Sequence, residues 1–292
     1  DINHLLYVIG NFALELLYEG NNDAYTIIED MLRLAQSGLF DINQLGRIAI
    51  AYTNISYAKV EYIIDNFLCP SIEQIEYWEG GTDSEARIDV MLLASMAGLA
   101  VNKEKYMHMA DRYASEAERF ITDLPYDAKE LYADPLMEIY SIMGRGDMAR
   151  SLFNTYYADL YDADRDSETF NFYLFRSYHG QGDHESAARY VKPALKTEGV
   201  VYALQAMETA FMTADYRLAE KLAENYLHNR YNMAENMLIA TPEDKSDLNS
   251  MMKKAEVEVF DRILGISYEK KSCSDLLAGI LYDWNLISKG GL

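Results

Sequence analysis

Three alternating carboxylates come closest to a recognisable chemistry in this sequence. The stretch Asp-Ala-Asp-Arg-Asp-Ser-Glu places Asp162, Asp164 and Asp166 at the first, third and fifth positions of a loop. Calcium loops use this spacing to direct hard oxygen ligands at one ion. Their sixth position is a glycine and their twelfth a bidentate glutamate, whereas this chain has Ser167 and Tyr173 there. We expect a loop that caps the next helix, with calcium binding as the alternative.

A second candidate site lies just after this loop, on a helix rich in aromatic side chains. Asn171 and Arg176 are five residues apart, and an amide with a guanidinium can hold a peptide backbone or a carboxylate. Neighbouring tyrosines offer rings and hydroxyls, which are common anchors at interfaces. The predicted ligand-binding residues are Asn171, Arg176, Tyr140, Tyr173 and Tyr178. The alternative for most of the aromatic side chains is the core between adjacent helices.

Familiar catalytic and cofactor motifs do not occur in the sequence. It has no HExxH, GxSxG, P-loop or GxGxxG. His179 and His184 flank one turn without the spacing of a helical metal site, so we expect them on the surface or lining a groove. Cys69 and Cys273 are far apart in sequence and have no CxxC partner, which favours two free thiols over a disulfide. The prediction is a non-enzymatic protein without cofactor or metal.

The elements that must position these residues are helices. Half of the residues are hydrophobic, only 5 are proline and 16 glycine, and no long stretch alternates as a half-buried strand would. Turn signals recur as Gly-Arg-Gly-Asp at 144–147, Gly-Gln-Gly-Asp at 180–183 and Thr-Ala-Asp at 213–215. Four residues after each Asp comes a small side chain: Ser151, Ala187 and Ala219. Glycines that reverse the chain, a capping Asp and a small packing residue predict stacked helical hairpins.

The clearest hairpins are predicted at about 127–161, 167–196 and 200–230. The predicted organisation is an N-terminal set of hairpins at 1–80, repeats at 81–230 and C-terminal capping helices at 231–292, within one continuous solenoid. The capping helices are expected to begin at Thr241-Pro242 and to end with a helix at about 272–289.

From Leu131 to Arg230 the pattern resembles the tetratricopeptide repeat (TPR) family. Tyr178, five residues before Asp183, stands where that family has an aromatic side chain, and Ile142 and Ala210 take the equivalent places. The sequence departs from the family where a small residue is expected, at Ile139, Phe175 and Met207, and it lacks most of the closing prolines. The resemblance implies an all-α, right-handed solenoid of antiparallel hairpins, whose concave groove takes a peptide or a partner's helix.

The charge limits the range of partners. The net charge is −21, and residues 1–100 hold 15 acidic and only 4 basic side chains. This sign excludes direct nucleic-acid binding, because phosphates need cationic partners. It favours a basic or amphipathic protein partner, with solubility alone as the other explanation. No apolar run is long enough to span a membrane.

The function predicted from these features is a non-catalytic scaffold that binds a protein or peptide. The alternatives are a peptide-responsive regulatory sensor domain and an all-helical enzyme that uses carboxylates. The chain begins at Asp1 without a methionine, which predicts a mature or trimmed fragment, and the compartment stays open.

Overall fold

A computed structural model describes residues 2–18, 23–53, 56–73, 84–165, 167–192 and 200–237, with five isolated positions beyond them. Over these residues the secondary structure is helical and contains no strand, which confirms the all-α class. The right-handed superhelical stacking stays a prediction. The first predicted boundary, at 80/81, lies outside the described residues, as do the predicted helices at 241 and at 272–289.

The chain forms two compact units, and the second begins at Tyr140, directly after Ile139. The change of unit therefore falls inside a helix. The helices that the structure describes up to that point are α1 (Ile2–Tyr18), α2 (Asp23–Gln36), α3 (Ile42–Tyr52), α4 (Tyr57–Ile63), α5 (Cys69–Glu73), α6 (Ser84–Val101), α7 (Glu104–Ile121) and α8 (Tyr126–Ile142).

In the first unit, α6 lies at the centre. It packs against α3 and against α7, which follows it after only two residues. Because neighbours cover it on several sides, its buried side chains do not form a single stripe. They are Ile88, Val90, Met91, Leu92, Ala94, Ser95, Ala97, Leu99 and Val101.

A π-helical turn, Ile64–Leu68, joins α4 to α5 without a break. Ile64 and Leu68 within this turn are fully buried. Val60 before it and Ile72 after it are also buried, so the whole segment presents one face to the core.

Over its described residues, the second unit contains the end of α8 and six further helices. They are α9 (Gly146–Tyr156), α10 (Ala158–Ala163), α11 (Glu168–Gly180), α12 (His184–Ala187), α13 (Val200–Met212) and α14 (Tyr216–Met237). A short 3-10 turn, Ala188–Tyr190, extends α12. The core of this unit includes Phe175, Met207, Phe211, Leu222 and Tyr226.

Three turns in the second unit share one backbone geometry. Gly144, Gly182 and Ala214 have positive φ angles of 74°, 77° and 61°. In each case the N–H of the following residue bonds to a carbonyl five residues back, which closes the preceding helix as in a Schellman motif. These bonds are Arg145 to Tyr140 at 2.8 Å, Asp183 to Tyr178 at 3.0 Å and Asp215 to Ala210 at 2.9 Å.

This shared geometry corrects the predicted alignment of the first turn. Arg145, not Asp147, occupies the place of Asp183 and Asp215, because the left-handed residue is Gly144. The small residue four positions later is the buried Ala149, whereas the predicted Ser151 is exposed.

Of the other predicted features of the turns, one is corrected and one is confirmed. The equivalent aromatic side chain is the buried Tyr140, whereas the predicted Ile142 is 43% exposed. The caps at the other two turns are confirmed, since the carboxylate of Asp183 accepts from the N–H of Ser186 and that of Asp215 from the N–H of Leu218.

The other two turn glycines serve close packing and not chain reversal. Gly180 is the last residue of α11, and a Cβ there would lie 2.0 Å from the carbonyl oxygen of Ser141. A Cβ on Gly146 would lie 1.8 Å from the carbonyl oxygen of Ser177. Both distances are far below van der Waals contact, so the missing side chains let α11 meet the end of α8 and the start of α9 backbone to backbone.

Candidate functional site

The predicted carboxylate loop is built around the end of α10. Asp162 lies in α10, and its Oδ1 accepts a hydrogen bond from Arg165 at 2.5 Å. The N–H of Asp164 closes the helix on the carbonyl of Leu160 at 3.0 Å. Asp166 lies outside the described residues. Among the residues that the structure describes, no three carboxylate, His or Cys side chains form a group suited to a metal ion.

Asn171 holds the loop between α10 and α11. Its side-chain amide donates to the backbone carbonyls of Arg165 at 3.0 Å and Ser167 at 2.8 Å. The hydroxyl of Tyr161 donates to its Oδ1 at 3.4 Å. Both the nitrogen and the oxygen of the Asn171 side-chain amide therefore form hydrogen bonds within this loop and its flanking helices.

The predicted clamp of Asn171 with Arg176 is not formed. Five residues along an α-helix turn the side chain by about 140°, so the two residues lie on different faces of α11. Arg176 extends over the ring of Phe172, with 5.6 Å between its Cζ atom and the ring centroid. The predicted Tyr140 is also absent from any open surface, because it is fully buried.

The remaining predicted residues, Tyr173 and Tyr178, belong to a larger group that we call the aromatic surface. Its members are all half-buried side chains: Tyr161, Phe170, Tyr173, Tyr178 and Tyr190. The buried rings of Phe153 and Tyr157 support it from below. Phe153 lies 5.7 Å from Tyr161 and 6.1 Å from Phe170, both edge to face, and Tyr157 lies 6.2 Å from Tyr173.

One end of the aromatic surface is a stack of three side chains. The rings of Tyr178 and Tyr190 are parallel to within 1°, with centroids 5.9 Å apart. The guanidinium of Arg150 lies 4.4 Å from the centroid of Tyr178. Arg150 also donates to the side-chain oxygen of Gln181 at 2.6 Å and to the carbonyl of Ser177 at 3.3 Å. These bonds fix the guanidinium over the ring and tie α9 to α11.

The phenol of Tyr190 is neutral at physiological pH, as an ordinary tyrosine with a pKa of about 10 is, and its surroundings raise the pKa further. Burial raises its pKa above the usual value, and the neighbouring Tyr161 and Tyr178 raise it further. At physiological pH the hydroxyl therefore remains a hydrogen-bond donor. Arg165 lies 5.6 Å from the ring centroid of Tyr161. A second cation thus borders the aromatic surface.

Sequence reasoning missed a polar cluster beneath the turn between α11 and α12. Nδ1 of His179 lies 3.0 Å from the hydroxyl of Thr209, and Nδ1 of His184 lies 3.3 Å from the same oxygen. Nε2 of His179 is 4.0 Å from the carboxylate of Glu208. Thr209 and Glu208 are both buried. His179 is largely buried too and stacks on Phe175, so this ring does not take the exposed surface position that was one of the two expected for it.

The signal for this cluster was present in the sequence. Glu208-Thr209 lies in a mostly apolar helix, and buried polar groups need partners. The partners come from α11 and α12, 30 and 25 residues away in sequence, which helical periodicity does not reveal.

Comparison with known proteins gives no match: no family model, curated protein or solved structure is similar to the chain. Within the described part of the chain, no helix combines the length and apolar character needed to cross a bilayer. Cys69 is a free, half-buried thiol, and Cys273 lies outside the described residues.

Proposed function

We propose that the chain is a non-catalytic binding module for a protein segment or peptide, and that the aromatic surface is one of its binding sites. The observation that carries this proposal is the set of partly exposed rings, with Arg150 and Arg165 over two of them. Tyr and Arg are the side chains that dominate binding energy at protein interfaces. Their rigid support from Phe153 and Tyr157 lowers the entropy that binding would cost.

The proposal includes an arrangement of the hairpins as a TPR-like, right-handed solenoid. The three turns with one shared cap geometry support it, because repeated connections favour repeated packing of helix pairs. In such an array α11 is the first helix of its hairpin and lines the concave side. Tyr173 and Tyr178 would then meet a bound peptide, while Asn171 holds the loop beside it.

Selection from a random peptide library displayed on phage tests this function. Peptides selected on the wild-type chain are synthesised, and their affinities are measured by isothermal titration calorimetry. The variants Tyr161→Ser and Tyr173→Ser remove partly exposed rings from the aromatic surface. We expect each to weaken binding by about tenfold or more, the loss of at least ~1.4 kcal/mol that marks an anchor residue.

Tyr7→Ser is the matched control, since Tyr7 is an exposed tyrosine of the first unit. Circular dichroism confirms that each variant keeps its helical content. Unchanged affinity in both aromatic-surface variants would refute this location. Loss of affinity in Tyr7→Ser alone would place the peptide site in the first unit.

A further inference from the structure

The first helix has two apolar faces, and one of them is open. On the inner face Leu6, Ala13 and Leu14 are buried. On the outer face the structure leaves Leu5, Val8 and Phe12 exposed by 56%, 49% and 52%. These three are spaced by three and four residues, so they follow one another along one side of the helix. We call them the outer stripe.

The outer stripe is held outward by a close contact on the inner face. A Cβ on Gly10 would lie 2.8 Å from the side-chain oxygen of Gln44, so α1 sits directly against α3 at this point. Gln44 is fully buried, and its amide nitrogen donates to Asn11 at 3.3 Å. Asp41 caps the N–H of Gln44 at 2.9 Å. Rotating α1 about its axis to bury the outer stripe would break this contact between Gly10 and Gln44.

The size of the outer stripe fits a single partner helix better than a second copy of the chain. Three half-exposed side chains present a few hundred Å² of apolar surface, roughly the size of the largest patch on an ordinary soluble protein. A stable dimer buries about 800 Å² on each partner. An amphipathic helix needs only a short row of anchors at this spacing.

The charge around the outer stripe favours a partner of positive charge. The sequence of α1 contains no Lys or Arg, and Glu15 lies exposed beside the stripe. Six basic side chains of the first unit pair with carboxylates, and the unit keeps an excess of acidic side chains over basic ones. These pairs are Arg33–Asp30, Lys59–Glu29, Arg87–Glu116, Lys103–Glu61, Lys105–Asp65 and Arg112–Glu73.

We infer that the outer stripe docks a basic amphipathic helix of a partner protein. Apolar side chains of that helix would cover Leu5, Val8 and Phe12, and its Lys and Arg residues would face the acidic first unit. The inference is independent of the aromatic surface, which lies in the other unit. Complementary charge would speed the encounter, and the apolar contact would set the lifetime of the complex.

The test uses the 292-residue chain and a defined probe. The probe is a fluorescein-labelled Leu/Lys peptide of about 18 residues, long enough to form a helix with one apolar face. Fluorescence anisotropy measures its affinity, and a Leu/Glu peptide of the same pattern serves as the charge control. We expect the double variant Leu5→Gln, Phe12→Gln to weaken binding of the Leu/Lys peptide by about tenfold or more.

Two further variants separate the stripe from general stickiness. Leu131→Gln removes a leucine of the first unit that is 71% exposed and lies outside the stripe, and should leave the affinity unchanged. Glu15→Lys keeps the apolar anchors and reverses the charge beside them, so the Leu/Lys peptide should bind more weakly. Raising salt from about 50 mM to about 300 mM should weaken binding, because it screens surface charge.

Two results would overturn the inference. Equal binding of the Leu/Lys peptide to the wild type and the stripe variant would show attraction to the acidic surface at large. Equal binding of the Leu/Glu peptide would show that charge does not select the partner. The remaining alternative is that a second copy of the chain covers the stripe, and light scattering during size-exclusion chromatography measures the molar mass that tests it. A dimer that is lost in the stripe variant would assign the stripe to a second copy.

Discussion

The substitution Gly180→Ala should destabilise the second unit, although alanine is the better helix former. In a helix interior alanine is favoured over glycine by about 1 kcal/mol; at Gly180, the last residue of α11, the preference is smaller, but no positive φ opposes the change. Its new methyl group would, however, lie 2.0 Å from the carbonyl oxygen of Ser141. Helix propensity therefore predicts that the substitution raises the free energy of unfolding, and packing predicts that it lowers it.

The magnitude follows from the distance that must be gained. Ordinary contacts of a Cβ begin near 3.4 Å, so the two backbones must separate by roughly 1.4 Å. A gap of 0.5–1 Å already costs atoms along an interface about a quarter to a half of their dispersion energy. Overpacking of this kind costs up to about 3 kcal/mol. For a chain of 292 residues, that loss lowers the Tm by about 5 °C.

Differential scanning calorimetry of three variants decides the matter. Gly146→Ala meets the carbonyl of Ser177 at 1.8 Å and should behave like Gly180→Ala. Gly182→Ala is the control, because nothing lies within 4 Å of its Cβ position and its cost is limited to the left-handed backbone, about 1–2 kcal/mol. A Tm for Gly180→Ala equal to or above the wild type would refute the close approach of the two helices.

Three further outcomes are expected. Ala214→Gly relieves a φ of 61° and should stabilise the second unit by about 0.5–1 kcal/mol in urea unfolding monitored by circular dichroism. Asp183→Ala should lower the Tm at neutral pH. Hydrogen bonds from Ser186 lower the pKa of Asp183, so the carboxylate stabilises the fold fully above the ordinary pKa of about 3.9, and this stabilisation is lost as the pH falls through the lowered pKa. The difference in Tm between Asp183→Ala and the wild type should therefore become smaller over the same fall in pH. Burial raises the pKa of the Cys69 thiol, so in a Cys273→Ser background an aromatic disulfide reagent should modify it more slowly than free cysteine at about pH 8 and faster as the pH rises. Equal rates would contradict this burial.

Much of the helical organisation could be predicted because its signals are local. The hairpins predicted at 127–161 and 200–230 match α8 to α10 and α13 to α14, and two of the capping Asp residues are confirmed. The alignment of the first turn could not be settled locally. Gly144 and Gly146 both suit a reversal, and only the contact of Gly146 with Ser177 shows which one serves packing.

The site was harder to predict because it depends on which face each side chain occupies. The separation of Asn171 from Arg176 follows from helical geometry alone and could have been anticipated. The stack of Arg150 on Tyr178 could not, because it requires two helices to be docked. The outer stripe of α1 has the same origin: the sequence shows a wide apolar helix, and only packing shows which half is covered.

The π-helical turn at Ile64–Leu68 has a consequence for chain length. Val60 and Ile72 are twelve residues apart, which would set them about 120° from each other on a regular α-helix, yet both are buried. A π turn takes up one extra residue, and with eleven residues the same pair would lie within about 20°. The segment from Val60 to Ile72 thus contains one residue more than a regular α-helix with the same buried face would need. Deleting one residue inside the turn would restore a plain α-helix with both side chains still facing the core, whereas the same deletion in α6 would rotate everything after it by about 100°. At this turn the chain can therefore lose one residue without moving the following side chains from the core to the surface.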